Sequence, residues 1–157
     1  MRLGRDVGAL ESLPLKLIIV AVVATMSVVP AADALESLRD KDFLRRAETQ
    51  LDELVWTAEV VSMEGPGSSR KVALDFSSEG RLRFERLTIG DHRDGPNSMA
   101  ARLTLSTGAS VIRTADMPPA LMSGPDGQAV VVCSTSAAVV LRCVTDDGTP
   151  RIVLEVV

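Results

Sequence analysis

Residues 17–32, LIIVAVVATMSVVPAA, form an uncharged run between Lys16 and Asp33, and such a run must meet either a bilayer or a protein interior. Sixteen helical residues reach about 24 Å, against roughly 30 Å of hydrocarbon. Adding Leu13, Pro14 and Leu15, with the Lys16 ammonium lifted to the headgroups, gives about twenty apolar residues, enough to span. Four readings follow: a retained transmembrane anchor, a cleaved secretory signal, the apolar half of a filament-forming helix, and a buried helix of a soluble domain.

Arg2, Arg5 and Lys16 precede the run, whereas Asp33 and Glu36 follow it. By the positive-inside rule the N-terminus is cytoplasmic and the remainder is exported. Removing those three cations from 17, and Asp6 and Glu11 from 21 acidic residues, leaves 14 against 19, a formal charge of −5 beyond the run. An acidic domain repels phosphate backbones, and with 3% aromatics and no tyrosine it lacks stacking platforms, so nucleic acid is excluded as a partner. The core is to be built from Val, Leu, Ile and Ala.

In order, residues 1–12 read as a cytoplasmic leader, 13–32 as the transmembrane segment, 33–63 as an amphipathic helix and 70–157 as an exported β-rich domain. The helix is expected to start near Leu13 and to kink or break at Pro30, which lacks a backbone donor. Leu44, Ala47, Leu51, Leu54, Ala58 and Val61 recur at spacings of three and four, a stripe that docks on its own domain or makes a coiled-coil contact. Trp56 lies off this stripe and reads as a packing residue at its edge.

Beyond the loop 64–69 the period changes from 3.6 to 2. Expected hairpins join 70–77 to 81–89, 99–106 to 109–115, and 129–134 to 137–144, followed by a terminal strand 151–157; Leu87 and Ile89 change parity, placing a bulge near Glu85 or Arg86. Residues 116–128 read as irregular. The fold class is therefore α+β: a long N-terminal hydrophobic and amphipathic helix followed by an antiparallel sheet or small sandwich of about seven strands.

Chemistry finds little to work with. His92 is the sole histidine and lies in a charged loop, so multi-histidine metal sites are excluded and one candidate remains for a Ser, His and Asp arrangement. The pairs Asp91 with Asp94 and Asp146 with Asp147 lack calcium-loop spacing and read as turn chemistry. No glycine-rich stretch has a phosphate-loop pattern. No catalytic residue, metal or cofactor is assigned, and the small-molecule ligand stays unknown. If Thr135 and Ser136 form a hairpin tip, Cys133 and Cys143 are about 17 Å apart along paired strands, and they read as reduced, buried cysteines that behave as small apolar residues.

The layout of short basic leader, glycine, apolar helix, amphipathic continuation and C-terminal β-domain resembles the type IV pilin-like superfamily, archaeal pilins and pseudopilins in particular. The resemblance implies peptidase cleavage between Gly8 and Ala9, a subunit-registering role for Glu11, and partners that are the membrane and further pilin-like subunits. The chain departs from the pattern in having no Lys or Arg directly before Gly8, in Glu11 being the third rather than the fifth residue after it, and in Pro14 and Lys16 interrupting the apolar run. The leading expectation is a single-pass, membrane-anchored structural or interaction protein, not an enzyme. Its rivals are a binding domain released by cleavage near Ala32 or Ala34, and an exported enzyme with chemistry in loops 90–98 and 116–128.

Overall fold

In a computed structural model, which describes residues 7–92, 95–116 and 120–157 and, of these, all side chains but those of 7–13, 27 and 29, the chain is an α+β protein. Helix α1 (Val7–Glu64) is followed by β1 (Ser69–Asp75), β2 (Phe84–Ile89), β3 (Ala100–Leu105), β4 (Ser110–Thr114), β5 (Met122–Ser123), β6 (Val130–Val132), β7 (Ser136–Asp146) and β8 (Thr149–Val156). The helix begins at Val7 rather than near Leu13, and it runs unbroken through Pro14 and Pro30, so of the kink or break expected at Pro30 the break does not occur. A proline removes one donor and strains one turn; the bonds of the turns on either side continue the helix.

The chain divides into two compact units, Met1–Leu38 and Arg39–Val157. In the second, the helical residues Phe43, Ala47, Leu51, Leu54, Ala58 and Val61 are each no more than 1% exposed. This is the stripe read from the spacing, with Phe43 in place of Leu44, which is only partly buried. Burying Phe43, Leu51, Leu54 and Val61 contributes roughly 6–12 kcal/mol at 1.5–3 kcal/mol per large side chain, as much as the net stability of a whole domain. Residues 39–64 are therefore part of this unit's core, and the docked-helix reading holds.

Two four-stranded sheets complete the unit, in the orders β1-β7-β8-β5 and β4-β3-β2-β6. Their inner faces share one buried core with the helix, to which they give Val72, Leu74, Leu87, Ile89, Leu103, Leu141, Ile152 and Leu154. The helix is also tied to the edge strand of each sheet. Gln50 donates from Nε2 to the Asp75 carbonyl at 2.7 Å and accepts from the Asp75 amide at 2.6 Å; Arg113 on β4 reaches Asp52 at 2.6 Å. At its C-terminus α1 stops where Gly65 takes φ +83°, and the Ser68 hydroxyl lies 2.8 Å from the Val61 carbonyl, covering an acceptor the helix end leaves open.

The β3–β4 hairpin and the bulge are where the sequence put them: the register slips between Phe84 and Arg86. Two expected hairpins do not form. β1 pairs with β7, not with the strand after it, because the 76–83 segment is drawn to the helix, where the Leu82 amide donates to Asp40 Oδ1 at 3.0 Å and the Phe76 and Phe84 rings stack with centroids 5.0 Å apart. Likewise β6 pairs with β2, and β7 pairs with β1 and β8, so 129–134 and 137–144 lie in different sheets. An eighth strand, β5, lies inside the supposedly irregular 116–128 stretch and runs parallel to β8. The β7–β8 turn uses Asp147 (φ 49°) and Gly148 (φ 79°), the two left-handed residues that match a hairpin's twist.

Candidate functional site

The feature that most needs a partner is the apolar part of α1. Leu17, Ile18, Ile19 and Val20 occupy four successive positions about 100° apart on the helix, and they are 65%, 59%, 53% and 64% exposed. No side of the helix is covered. Leu15, Val22, Val23, Met26 and Val28 continue the same exposed surface. Nine such side chains at roughly 1 kcal/mol each, half their full burial value, make a cost in water on the order of 10 kcal/mol. Among the described residues this is the one helix long and apolar enough to cross a membrane.

The stretch is built for an environment without water. Its one described hydroxyl, on Thr25, lies 3.0 Å from the Ala21 carbonyl and 2.8 Å from that of Val22, so the polar group is satisfied inside the helix. Lys16 is exposed at the N-terminal end of the run, where a long stem and terminal charge suit the headgroup region. Gly8, Ala9 and Glu11 fall in the first turns of α1, and their side chains lie outside the described residues.

The loop after β2 gathers polar groups around Asp91. Its Oδ1 accepts from the His92 amide at 2.8 Å and lies 2.9 Å from His92 Nδ1, while Oδ2 accepts from the amide and side chain of Asn97 at 3.2 and 3.3 Å. The His92 ring bond first, then the His92 and Asn97 donors, hold the Asp91 carboxyl down at about 2. Its partner His92 is 60% exposed along the side chain. Among the described residues no hydroxyl or thiol is bonded to the ring, so a Ser, His and Asp arrangement is not assembled. Arg93 and Asp94 lie outside the described residues, and with them the Asp91–Asp94 pair.

His92 also lines an open cleft of about 590 Å³ with Ser123, Asp126, Asp146 and the buried Arg151. There Arg151 Nε lies 3.5 Å from Asp146 Oδ2, which places Asp146 in an ion pair, and Asp147 serves the turn. No three His, Cys, Asp or Glu side chains gather as a metal site among the described residues. Both cysteines are free, but only Cys143 is buried as expected; Cys133 is exposed, and the hairpin argued for them is absent. Burial pushes the Cys143 thiol up. Trp56 is 60% exposed, so it is not the packing residue expected: with Leu54, Val55 and Ala58 turned inward, its position faces solvent. The role of Gln50 was missed altogether, since one amide in a charged helix face carries no sequence signal.

In comparison with known protein families, the model for "Domain of unknown function (DUF7311)" fits residues 17–157. No curated protein and no solved structure matches. The match starts at the first residue of the apolar run and takes in the helix from Leu17 onward together with every strand.

Proposed function

The chain belongs to the DUF7311 family, and from that premise we propose that it is a single-pass membrane protein of pilin- or pseudopilin-like type, a structural or interaction subunit rather than an enzyme. The N-terminus is cytoplasmic and the β-rich unit is carried on the far side of the cell membrane. One observation carries the reading: a helix with large apolar side chains exposed on every side. Its cost in water is of the order of a domain's entire stability, so either lipid or copies of the same helix must cover it. The cations before the run set its orientation, with Lys16 at the boundary. Cleavage between Gly8 and Ala9, and a registering contact by Glu11, follow from the resemblance. The family match supports retention of the helix, because it treats the run and the strands as one unit.

The mature N-terminus is the test. Mass spectrometry of protein extracted from membranes finds a chain beginning at Ala9 if a prepilin-type peptidase acts, or at Met1 if none does. A soluble product beginning at Asp33 or Leu35 refutes the anchor and the pilin-like reading together.

A further inference from the structure

The outward face of the second sheet carries a groove of about 340 Å³, lined by Arg86 and Thr88 from β2, Arg102 and Thr104 from β3, and Ser110 and Asn97 beside them. Strand register explains how these meet. Arg86 stands opposite Thr104 and Thr88 opposite Arg102, so the two arginines are diagonal neighbours, with side-chain origins about 7–8 Å apart. The bulge makes this possible. Phe84 and Leu87 both turn inward although they are three residues apart, and the extra residue between them puts Arg86 on the outer face.

Cross-strand arginines repel one another, and in a chain with 21 acidic residues the simplest neighbour would be a carboxylate. None is supplied: among the described residues neither Arg86 nor Arg102 has an ion-pair or hydrogen-bond partner, whereas Arg46, Arg70, Arg113 and Arg151 each have an acid. The one acid lining the groove is Asp91, and both its oxygens are occupied by His92 and Asn97. Two unpaired guanidiniums with hydroxyls between them are a donor set for an anion with several oxygens.

We infer that this groove binds an oxyanion, a sulfate or a carboxylate, held between Arg86 and Arg102 with Thr88, Thr104 and Ser110 donating to it or to hydroxyls beside it. The inference is independent of the membrane reading. Two sources share this chemistry, a free inorganic ion and an acid group on a saccharide, and the experiment separates them. The full chain in non-ionic polyoxyethylene micelles is titrated by calorimetry with sodium sulfate and with digalacturonate. At least one probe is expected to bind saturably, and Arg86→Gln and Arg102→Gln each to weaken it by about tenfold, the loss of one charge-assisted contact. Both side chains are exposed, so the variants keep the fold. Arg142→Gln, at an exposed β7 position outside the groove, makes the same change in net charge and is expected to leave binding unaltered. Tighter binding of digalacturonate, lost in Thr88→Val, identifies a carried acid; binding of sulfate alone identifies the free ion. If neither probe saturates, or if Arg142→Gln weakens binding as much as Arg86→Gln, the inference is wrong.

Discussion

Replacing Gly90 by alanine tests the close approach that joins the end of β2 to β5. Gly90 has φ +69°, and a Cβ there would lie 2.6 Å from the Met122 carbonyl carbon and 3.1 Å from the Met122 Cβ. Gly108, at φ +80°, has nothing within 4 Å of the same position, so Gly108→Ala isolates the conformational cost alone. That cost is about 1–2 kcal/mol for an L-residue in the left-handed region, less about 0.4–1 kcal/mol gained by restricting the unfolded chain, or roughly 1 kcal/mol net. Gly90→Ala carries this and more, because the obstacle is backbone and cannot rotate aside. Moving Met122 away strains two hydrogen bonds, Asp91 amide to Met122 carbonyl at 3.3 Å and Met122 amide to Ser98 carbonyl at 2.7 Å. It also displaces a side chain that is 1% exposed. Overpacking of this kind costs about 1–3 kcal/mol, so Gly90→Ala is expected to lose about 3 kcal/mol in all. Hydrogen exchange read by mass spectrometry over β2, β3 and β8 measures the opening free energy of this unit. If Gly90→Ala falls within about 1 kcal/mol of Gly108→Ala by that measure, the close-approach argument fails.

Leu54→Ala, at a fully buried position, is expected to cost about 3–5 kcal/mol by the same exchange measurement, and a loss under about 1 kcal/mol would show that the helix is peripheral to the core. The Asp91 carboxyl is held at about 2 in the folded chain, from 3.8; a depressed acid contributes stability that is complete above the unfolded value and lost as pH falls through the folded one. Denaturation midpoints of the native chain should therefore drop more steeply between about pH 4 and pH 2 than those of Asp91→Asn, and parallel profiles would remove Asp91 as a cause. Iodoacetamide at pH 8 should modify exposed Cys133 long before buried Cys143, and equal rates would contradict the burial.

Local periodicity made α1 and most strands legible. The inward stripe followed from spacings of three and four, and the bulge from the change of parity after Phe84, because each depends only on which side a neighbour faces. Pairing was not legible in the same way. The Ser78, Glu79 and Gly80 stretch has turn composition, yet Asp40 Oδ1 takes the Leu82 amide from 42 residues away, and alternation within β1 cannot say that Val72 will lie opposite Val139. The apolar run was plain from the start, since it needs only the absence of charge. The oxyanion groove was hidden, because Arg86 and Arg102 become neighbours only through a register set by the bulge.

The first sheet joins the earliest strand to the last two, β1 to β7 and β7 to β8, which fixes an order of events during synthesis. After Asp75 leaves the ribosome, about eighty residues must follow before β8 is complete, roughly 4–16 s at 5–20 residues per second. The apolar run precedes all of them. Residues 17–32 therefore leave the ribosome while β1 still lacks its partner, whereas the second sheet has all its strands once Val132 has been made. The strand order itself leaves the first sheet open until the last strands of the chain have been made.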